Sequence, residues 1–399
     1  MHILIVTASL PYPLASGGAI RVFGMLKGLH DAGHKLTLMS FSDKQSEATP
    51  LNDVCESIII LPYPQRSLTD RLQTLFFTSQ PDIQTRFYSP VFEKELLALI
   101  SENEFDLVQF EAIESACYLP TVREHFPEQA ICFDTFNAEA DLQHVIFEID
   151  RQTPSRFPQA VYSWIQSKRI AQYEGDLCRA ADLVIAVSEE DHTLLSAYRE
   201  DDCTRIVPSG ITVADYTTTD ETISLPKNSI IFTGKMDYRP NVDAMLWFTD
   251  EILPQLPDTH LTIVGQKPHP RIQHLPEQAN ITLTGWVDSV LPYLHATDVY
   301  IAPLRMGSGT RLKILEAMAA GCAIVCTETA AAGLSDRLKS ALVITDTPDT
   351  FADAIQQLLH DKTKRRAMSK QAQKSVAEQY DWSVLIPRLL NAYKEIGLG

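Results

Sequence analysis

The segment 303–321, PLRMGSGTRLKILEAMAAG, contains residue types that could bind a phosphate. Gly307, Ser308 and Gly309 would form a loop whose backbone amides can approach an anion closely, because no large side chain stands in the way. Thr310 is a suitable cap for a helix that begins just after it. The free amides and the positive dipole end of such a helix favour an anion, so the segment predicts a phosphate site.

Charged side chains follow this predicted loop directly. Arg311 and Lys313 are two cations for a diphosphate, and Glu316 is a carboxylate for vicinal hydroxyls. A sugar nucleotide needs these groups. A second interpretation stays open, because short glycine-rich loops before helices are common. The segment could be an ordinary helix between two strands, with Arg311 and Lys313 solvated.

The same segment closely resembles the donor-binding signature of the retaining glycosyltransferases of family 4, which have the GT-B fold. The resemblance covers nearly all 399 residues and is densest at 1–40, 229–250 and 300–335. It implies an α/β protein of two Rossmann-like, doubly wound parallel-sheet domains that face each other across a cleft. The length fits two domains, since single cores rarely exceed about 250–300 residues.

The resemblance also implies where the domains lie. An N-terminal acceptor-binding domain is expected over 1–207, joined by a C-terminal helix over 381–399. A donor-binding domain for the nucleotide sugar is expected over 229–380. The stretch 208–228 is polar, rich in threonine and without an apolar period, and we interpret it as the linker.

Two predicted loops of the first domain contain candidate ligand contacts. Gly17 and Gly18 follow the first strand, where α/β sheets bind ligands, although a plain turn is the alternative. By resemblance, they would approach the donor phosphate or the acceptor, with Arg21 beside them as an acceptor contact. Asn137 and Glu139 follow a later strand and are candidates for the acceptor, against the alternative that they cap a loop.

The second domain begins with a strand that runs into Gly234 and Lys235. The resemblance implies that Lys235 and Arg239 are the principal cations for the donor diphosphate. The alternative for Arg239, which precedes a proline, is a turn residue without a role in phosphate binding. Further along, Gly265 ends a strand. By resemblance, the backbone after Gly285 pairs with the nucleobase edge, and Trp286 could line the wall beside the nucleobase. A surface anchor is the alternative for Trp286. The predicted catalytic residues are Lys235, Arg239, Arg311 and Glu316. The predicted donor contacts are Gly17, Gly18, Gly234, Gly265, Trp286, Val287, Gly307, Ser308, Gly309, Thr310 and Lys313.

The sequence departs from the family pattern at two positions. Phe136 occupies the place of the usual histidine, which is associated with the hydroxyls of the donor sugar. Ser308 stands eight positions before Glu316, where members often carry a first glutamate. The identity of the donor sugar therefore does not follow from the resemblance.

The resemblance implies retaining transfer of a sugar from a nucleotide-diphosphate sugar to a hydroxyl of a glycan, a glycolipid or a small molecule. No cofactor or metal is expected, and the sequence has no Asp-x-Asp pair that would hold a divalent ion against a diphosphate. A sugar-nucleotide epimerase or phosphorylase of the same fold and a non-catalytic nucleotide-sugar binding protein are the alternatives. A nicotinamide dehydrogenase is excluded, because the first glycine loop lacks Gly-x-Gly-x-x-Gly spacing.

Composition narrows the partners and the compartment. The net charge is −17, of which −14 falls in residues 1–210, and this argues against nucleic acid as a partner. The seven cysteines are scattered without a Cys-x-x-Cys pair, which favours a reducing, cytoplasmic location. An amphipathic segment over 67–89 could make weak peripheral membrane contact, although core packing is the alternative. No run is long enough to span a membrane.

Overall fold

The computed structural model describes residues 1–14, 16–43, 49–65, 67, 78–151, 157–306 and 312–398. The chain divides into two compact units, Met1–Ser209 together with Leu385–Gly399, and Gly210–Val384. Residues 210–228, most of the predicted linker, therefore fold with the second unit. The acceptor and donor roles of the two domains stay predictions.

The first unit is built on a parallel sheet. Its described strands are β1 (His2–Thr7), β2 (Lys35–Phe41), β3 (Ser57–Leu61), β4 (Leu107–Glu111), β5 (Ile131–Asp134), β6 (Leu183–Ala186) and β7 (Thr204–Ile206). Their order is β3-β2-β1-β4-β5-β6-β7, and every pairing is parallel. The chain runs from β1 outward to β3 and then returns to the other side of β1. The carboxyl ends of β1 and β4 are therefore the switch point at which open α/β sheets bind ligands.

Helices connect these strands. In the described part of the first unit they are α1 (Gly17–Asp31), α2 (Leu51–Val54), α3 (Asp82–Arg86), α4 (Pro90–Glu102), α5 (Ala112–Ser115), α6 (Leu119–His125), α7 (Glu139–Arg151), α8 (Phe157–Ala180) and α9 (Glu189–Ser196), with a 3₁₀ turn at Ala116–Tyr118. The first helix begins where Ser16 caps it, because the Ser16 side chain accepts a hydrogen bond from the Ala19 amide at 3.2 Å. It ends before Gly33, whose φ of 86° is the left-handed conformation that glycine adopts readily.

The second unit repeats this arrangement. Its described strands are β8 (Ser229–Thr233), β9 (His260–Val264), β10 (Ile281–Leu283), β11 (Val299–Ala302), β12 (Ile324–Cys326) and β13 (Val343–Ile344). They pair in parallel in the order β10-β9-β8-β11-β12-β13. The switch point lies between β8 and β11. The two predicted donor segments, which follow these two strands, therefore leave the sheet side by side.

The helices described in the second unit are α10 (Ala214–Thr217), α11 (Arg239–Trp247), α12 (Leu291–Ala296), α13 (Leu312–Ala319), α14 (Glu328–Ala331), α15 (Asp336–Lys339), α16 (Pro348–His360) and α17 (Lys362–Tyr380). A π-helical turn at Phe248–Ile252 and 3₁₀ turns at Leu253–Gln255 and Leu275–Glu277 accompany them. The last helix, α18 (Trp382–Glu395), belongs to the first unit from Leu385 onward. Leu312, Leu315 and Met318 of α13 are buried, as their spacing predicts. The predicted α/β class with two doubly wound parallel sheets is confirmed.

Candidate active site

Three glycines lie at the carboxyl ends of neighbouring strands of the second sheet: Gly234 after β8, Gly265 after β9 and Gly285 after β10. The Gly234 amide donates to the Val264 carbonyl at 3.0 Å, and Gly265 pairs with Gly285 in an isolated antiparallel bridge. A Cβ atom at Gly265 would lie 1.7 Å from the carbonyl oxygen of Gly234, so no larger residue fits there without a backbone shift. Gly234 and Gly265 thus let the loops after β8 and β9 pack closely at the carboxyl edge of the sheet.

Asn241, in the first turn of α11, connects two of the predicted cationic segments. Its Nδ2 donates to the main-chain oxygen of Lys235 at 2.9 Å, and its Oδ1 accepts from Nζ of Lys313 at 2.7 Å. The asparagine is only 4% exposed, so these hydrogen bonds are largely shielded from water. Asn241 is not among the predicted site residues; its signal in the sequence is the turn Arg239-Pro240-Asn241 shortly after Lys235.

The ammonium groups of Lys235 and Lys313 are held in different ways. The Lys235 side chain is 47% exposed, and its Nζ lies 3.6 Å from the carboxylate of Asp237. Such an exposed pair is weak, so the Lys235 ammonium remains available to an anion. Lys313 Nζ lies 4.4 Å from the centroid of the Phe232 ring. A Cβ atom at Gly234 would lie 3.0 Å from this Nζ, so the glycine lets the ammonium approach the backbone.

Glu316 lies one turn after Lys313 on α13 and has a partner from a distant segment. Tyr216 Oη donates a hydrogen bond to Glu316 Oε1 at 2.8 Å. Burial raises the pKa of Glu316, whereas the hydrogen bond from Tyr216 and the charge of Lys313 act in the opposite direction. Tyr216 belongs to α10, inside the stretch that the sequence analysis interprets as a linker. The sequence offers no signal for this contact.

The structure gives fewer contacts for the other predicted donor residues, and some of these residues lie outside the described part of the chain. Arg239 is half-buried as the first residue of α11. Trp286 is 61% exposed just after β10, with Val287 half-buried next to it, and this exposure fits both a nucleobase wall and a surface anchor. Five predicted residues lie outside the residues that the structure describes, and their roles stay predictions: Gly307, Ser308, Gly309, Thr310 and Arg311.

In the first unit, Gly17 and Gly18 are the first residues of α1. A Cβ atom at Gly18 would lie 2.8 Å from Cε2 of Phe136. The ring of Phe136 therefore packs directly against the backbone of the predicted glycine loop. Because this ring lacks the nitrogen atoms of the usual histidine, it offers an apolar contact where a histidine offers a hydrogen bond. The donor phosphate contact of Gly17 and Gly18 stays a prediction.

Arg21 is an internal partner of Asp134. The arginine is 2% exposed, and its Nη2 contacts the two carboxylate oxygens of Asp134 at 2.6 and 3.0 Å. Its Nη1 donates to the main-chain oxygen of Val207 at 3.1 Å. Asp134 ends β5 opposite Glu111 at the end of β4. Burial raises the pKa of both carboxyl groups, and Arg21 opposes that rise. The guanidinium is thus held by other residues of the first unit, and the acceptor contact of Arg21 stays a prediction.

Asn137 lies two residues before α7, and Glu139 is the first residue of that helix. Glu174 of α8 accepts hydrogen bonds from the backbone amides of Glu139 at 2.6 Å and Ala140 at 3.4 Å. Burial raises the pKa of Glu139 to about 7 and that of Glu174 to about 8. Glu139 therefore changes protonation near neutral pH, where it can either accept or donate a hydrogen bond. Acceptor binding by Asn137 and Glu139 stays a prediction.

Three further findings concern metals, cysteines and membranes. Among the described residues, no group of three or more histidine, cysteine, aspartate or glutamate side chains is arranged to hold a metal ion. All seven cysteines are free thiols. In the described part of the chain, no helix has the length and apolar character needed to cross a membrane. Residues 68–77 of the predicted membrane-contact segment lie outside the described residues.

Comparisons with known proteins agree with this architecture. Residues 227–361 match the family model described as Glycosyl transferases group 1. The phosphatidyl-myo-inositol mannosyltransferase of Mycolicibacterium smegmatis is 27% identical over 202 residues, which cover 48% of this chain and 51% of that protein. The chain thus spans about half the length of this relative.

Two solved structures superpose on the whole chain. Sucrose-phosphate synthase of Thermosynechococcus elongatus has a TM-score of 0.75 at 17% identity and covers 99% of both chains. The Anabaena protein HepE, solved with UDP and glucose, has a TM-score of 0.71 at 15% identity, over 99% of this chain and 100% of that one. The shared fold and the group 1 match over residues 227–361 confirm the predicted resemblance to the family 4-like glycosyltransferases of the GT-B fold.

Proposed function

We propose that the chain transfers a sugar from a nucleotide-diphosphate sugar to a hydroxyl acceptor, with retention of the anomeric configuration and without a metal ion. The single observation that carries this proposal is the cluster of Lys235, Asn241 and Lys313 at the carboxyl edge of the second sheet. It provides two ammonium groups at the switch point where a nucleotide is expected. HepE, a neighbour of the same fold, was solved with UDP and glucose, which supports a nucleotide-sugar donor.

The proposed chemistry is a displacement at the anomeric carbon. The bond from this carbon to the diphosphate oxygen breaks, a bond to the acceptor oxygen forms on the same face, and the acceptor proton goes to the departing phosphate. Negative charge develops on the leaving diphosphate. Lys235 and Lys313, with Arg239 and Arg311 as further proposed cations, would stabilise this charge in place of a divalent ion. Removing one such preorganised group typically lowers turnover by about 10²–10³-fold.

The donor is identified first, because a ligand that binds the native state raises its melting temperature. A thermal-shift screen should compare UDP, GDP, ADP and dTDP and their sugars. With the donor known, we expect Lys235→Ala and Lys313→Ala to lower turnover by about 10²-fold while the fold is retained. Lys227→Ala, at an exposed lysine of the same unit, is the control. Near-wild-type turnover in both site variants would remove the phosphate role.

Two measurements address the mechanism. NMR of the product should show the anomeric configuration of the donor, and an inverted linkage would exclude a retaining mechanism. Dialysis against EDTA should leave turnover unchanged. Loss of activity that Mg²⁺ or Mn²⁺ restores would contradict the metal-independent reaction.

One observation favours a second candidate, a non-catalytic nucleotide-sugar binding protein. The Phe136 ring, which replaces the usual histidine, packs on Gly18 and cannot hydrogen-bond a sugar hydroxyl. Isothermal titration decides between the two functions. Tight donor binding without turnover on any glycan, glycolipid or small-molecule acceptor would favour the binding protein.

A further inference from the structure

Tyr216 and Glu316 are 100 positions apart in the chain, yet a hydrogen bond joins them within the second unit. The Tyr216 hydroxyl donates to Oε1 of Glu316 at 2.8 Å. The main chain of the same tyrosine is held as well, because Nε2 of His295 lies 3.0 Å from its carbonyl oxygen. The short helix α10 is thus connected to α12 through its backbone and to α13 through the tyrosine side chain.

This hydrogen bond restricts the Glu316 carboxylate without using up its capacity. A carboxylate offers about four lone-pair positions on two oxygens, and a tyrosine hydroxyl occupies one. A glutamate that is already held does not have to be ordered when a ligand binds. The Tyr216 bond and the charge of Lys313 also favour the ionised carboxylate against the opposing effect of burial on its pKa.

We propose that Tyr216 is a positioning residue that fixes Glu316 to accept from both hydroxyls of a ribose, so that the site prefers ribonucleotides to 2′-deoxyribonucleotides. This inference rests on the proposed function, with Glu316 as the predicted carboxylate for the vicinal hydroxyls of the donor nucleotide. A 2′-deoxyribose offers one hydroxyl where a ribose offers two neighbouring ones. A carboxylate that is fixed for both keeps an unsatisfied acceptor with the deoxy compound, whereas a mobile carboxylate can turn to the single hydroxyl.

Calorimetric titration tests this role directly. UDP, GDP, ADP and their three 2′-deoxy counterparts are titrated into the wild-type chain and into Tyr216→Phe. We expect the wild type to bind one ribonucleotide about tenfold more tightly than its deoxy counterpart, the effect of about one hydrogen bond. In Tyr216→Phe the ratio should fall to about threefold or less, because the carboxylate is released. In turnover assays, the donor KM should rise while kcat at saturating donor stays nearly unchanged.

Two further variants make the result decisive. Tyr293→Phe, at a half-buried tyrosine of the same unit, should keep the full ratio. Glu316→Gln should also lower the ratio of the deoxyribonucleotide and ribonucleotide dissociation constants. Because it changes the other partner of the hydrogen bond, it provides a second test if Tyr216→Phe folds poorly. The inference is overturned if the wild type does not prefer the ribonucleotide, or if Tyr216→Phe keeps the full preference. In either case, nucleotide binding by the wild type would leave the proposed function intact. Binding of dTDP alone would also overturn only the inference, whereas a wild type that binds neither these six nucleotides nor dTDP would contradict the proposed function as well.

Discussion

Nζ of Lys313 lies 2.7 Å from Oδ1 of Asn241, and this contact joins segments that are 72 positions apart in the chain. The same asparagine side chain holds the main chain of Lys235 through its other end. An amide side chain can accept and donate at the same time, so one buried residue orients two cationic segments. The placement of both proposed phosphate contacts therefore depends on Asn241.

We expect Asn241→Ala to lower turnover by about 10- to 100-fold, because a misplacement of about 1 Å in the groups that position a substrate has effects of this size. Initial-rate kinetics check this, with the melting temperature measured in parallel. Asn280→Ala is the matched control, because its Nδ2 donates to the Thr259 carbonyl at 3.3 Å, away from both lysines. An Asn241→Ala variant with wild-type kcat and donor KM would show that the lysines do not need this asparagine.

Gly265→Ala should destabilise the second unit more than Gly285→Ala does. At Gly265 the new methyl group would lie 1.7 Å from the Gly234 carbonyl oxygen, so the backbone must shift. We expect this shift to cost about 3 kcal/mol, the upper end of the usual range for overpacking. At Gly285 nothing lies within 4 Å, and only the φ of 73° is unfavourable, at about 1–2 kcal/mol. Thermal unfolding measures both losses. The reverse order would contradict the close packing of the two loops.

Arg21→Ala should lower the free energy of unfolding by about 3–5 kcal/mol, because it leaves the buried Asp134 without its counter-charge. Lys27→Ala is the control on the same helix: Lys27 pairs with Asp31 at the exposed surface, where such a pair contributes about 0.3–0.5 kcal/mol. Urea unfolding distinguishes the two variants. Equal small losses would mean that Arg21 and Asp134 are not an enclosed pair.

The stability of the first unit should fall as the pH rises from about 4.5 to about 8, in part through Glu174. Its folded pKa of about 8 lies above the ordinary value of 4.5, so the folded chain keeps a proton that the unfolded chain has lost. The stability from this proton is present below the ordinary pKa and is lost as the pH passes the folded pKa, with a slope of up to about 1.4 kcal/mol per pH unit.

The Glu174→Gln variant tests this linkage, because glutamine does not titrate. Melting temperatures measured between pH 5 and pH 8 should decline less steeply in the variant than in the wild type. Glu200→Gln, at an exposed position of the same unit, should keep the wild-type slope. Parallel curves for Glu174→Gln and the wild type would mean that the glutamate is ionised in the folded chain throughout this range.

Local sequence patterns are enough to predict the helices, the strands and the segments that could bind a donor. The alternation of strands, glycine loops and amphipathic helices is a local property, so the strand before Lys235 and the buried face of α13 could both be predicted. The order of the strands then follows from the few ways in which such units form a doubly wound sheet. The positions of Lys235, Lys313 and Glu316 near one sheet edge follow from this order.

Which side chains contact one another could not be predicted and is known from the folded chain. Arg21 and Asp134 are 113 positions apart, and nothing in their local sequence distinguishes an enclosed arginine from one that faces a ligand. Tyr216 lies in a polar stretch without a period, so its hydrogen bond to Glu316 appears only once the chain is packed. Periodicity indicates which face of a segment is buried, whereas a hydrogen bond between distant residues depends on where packing brings two side chains together.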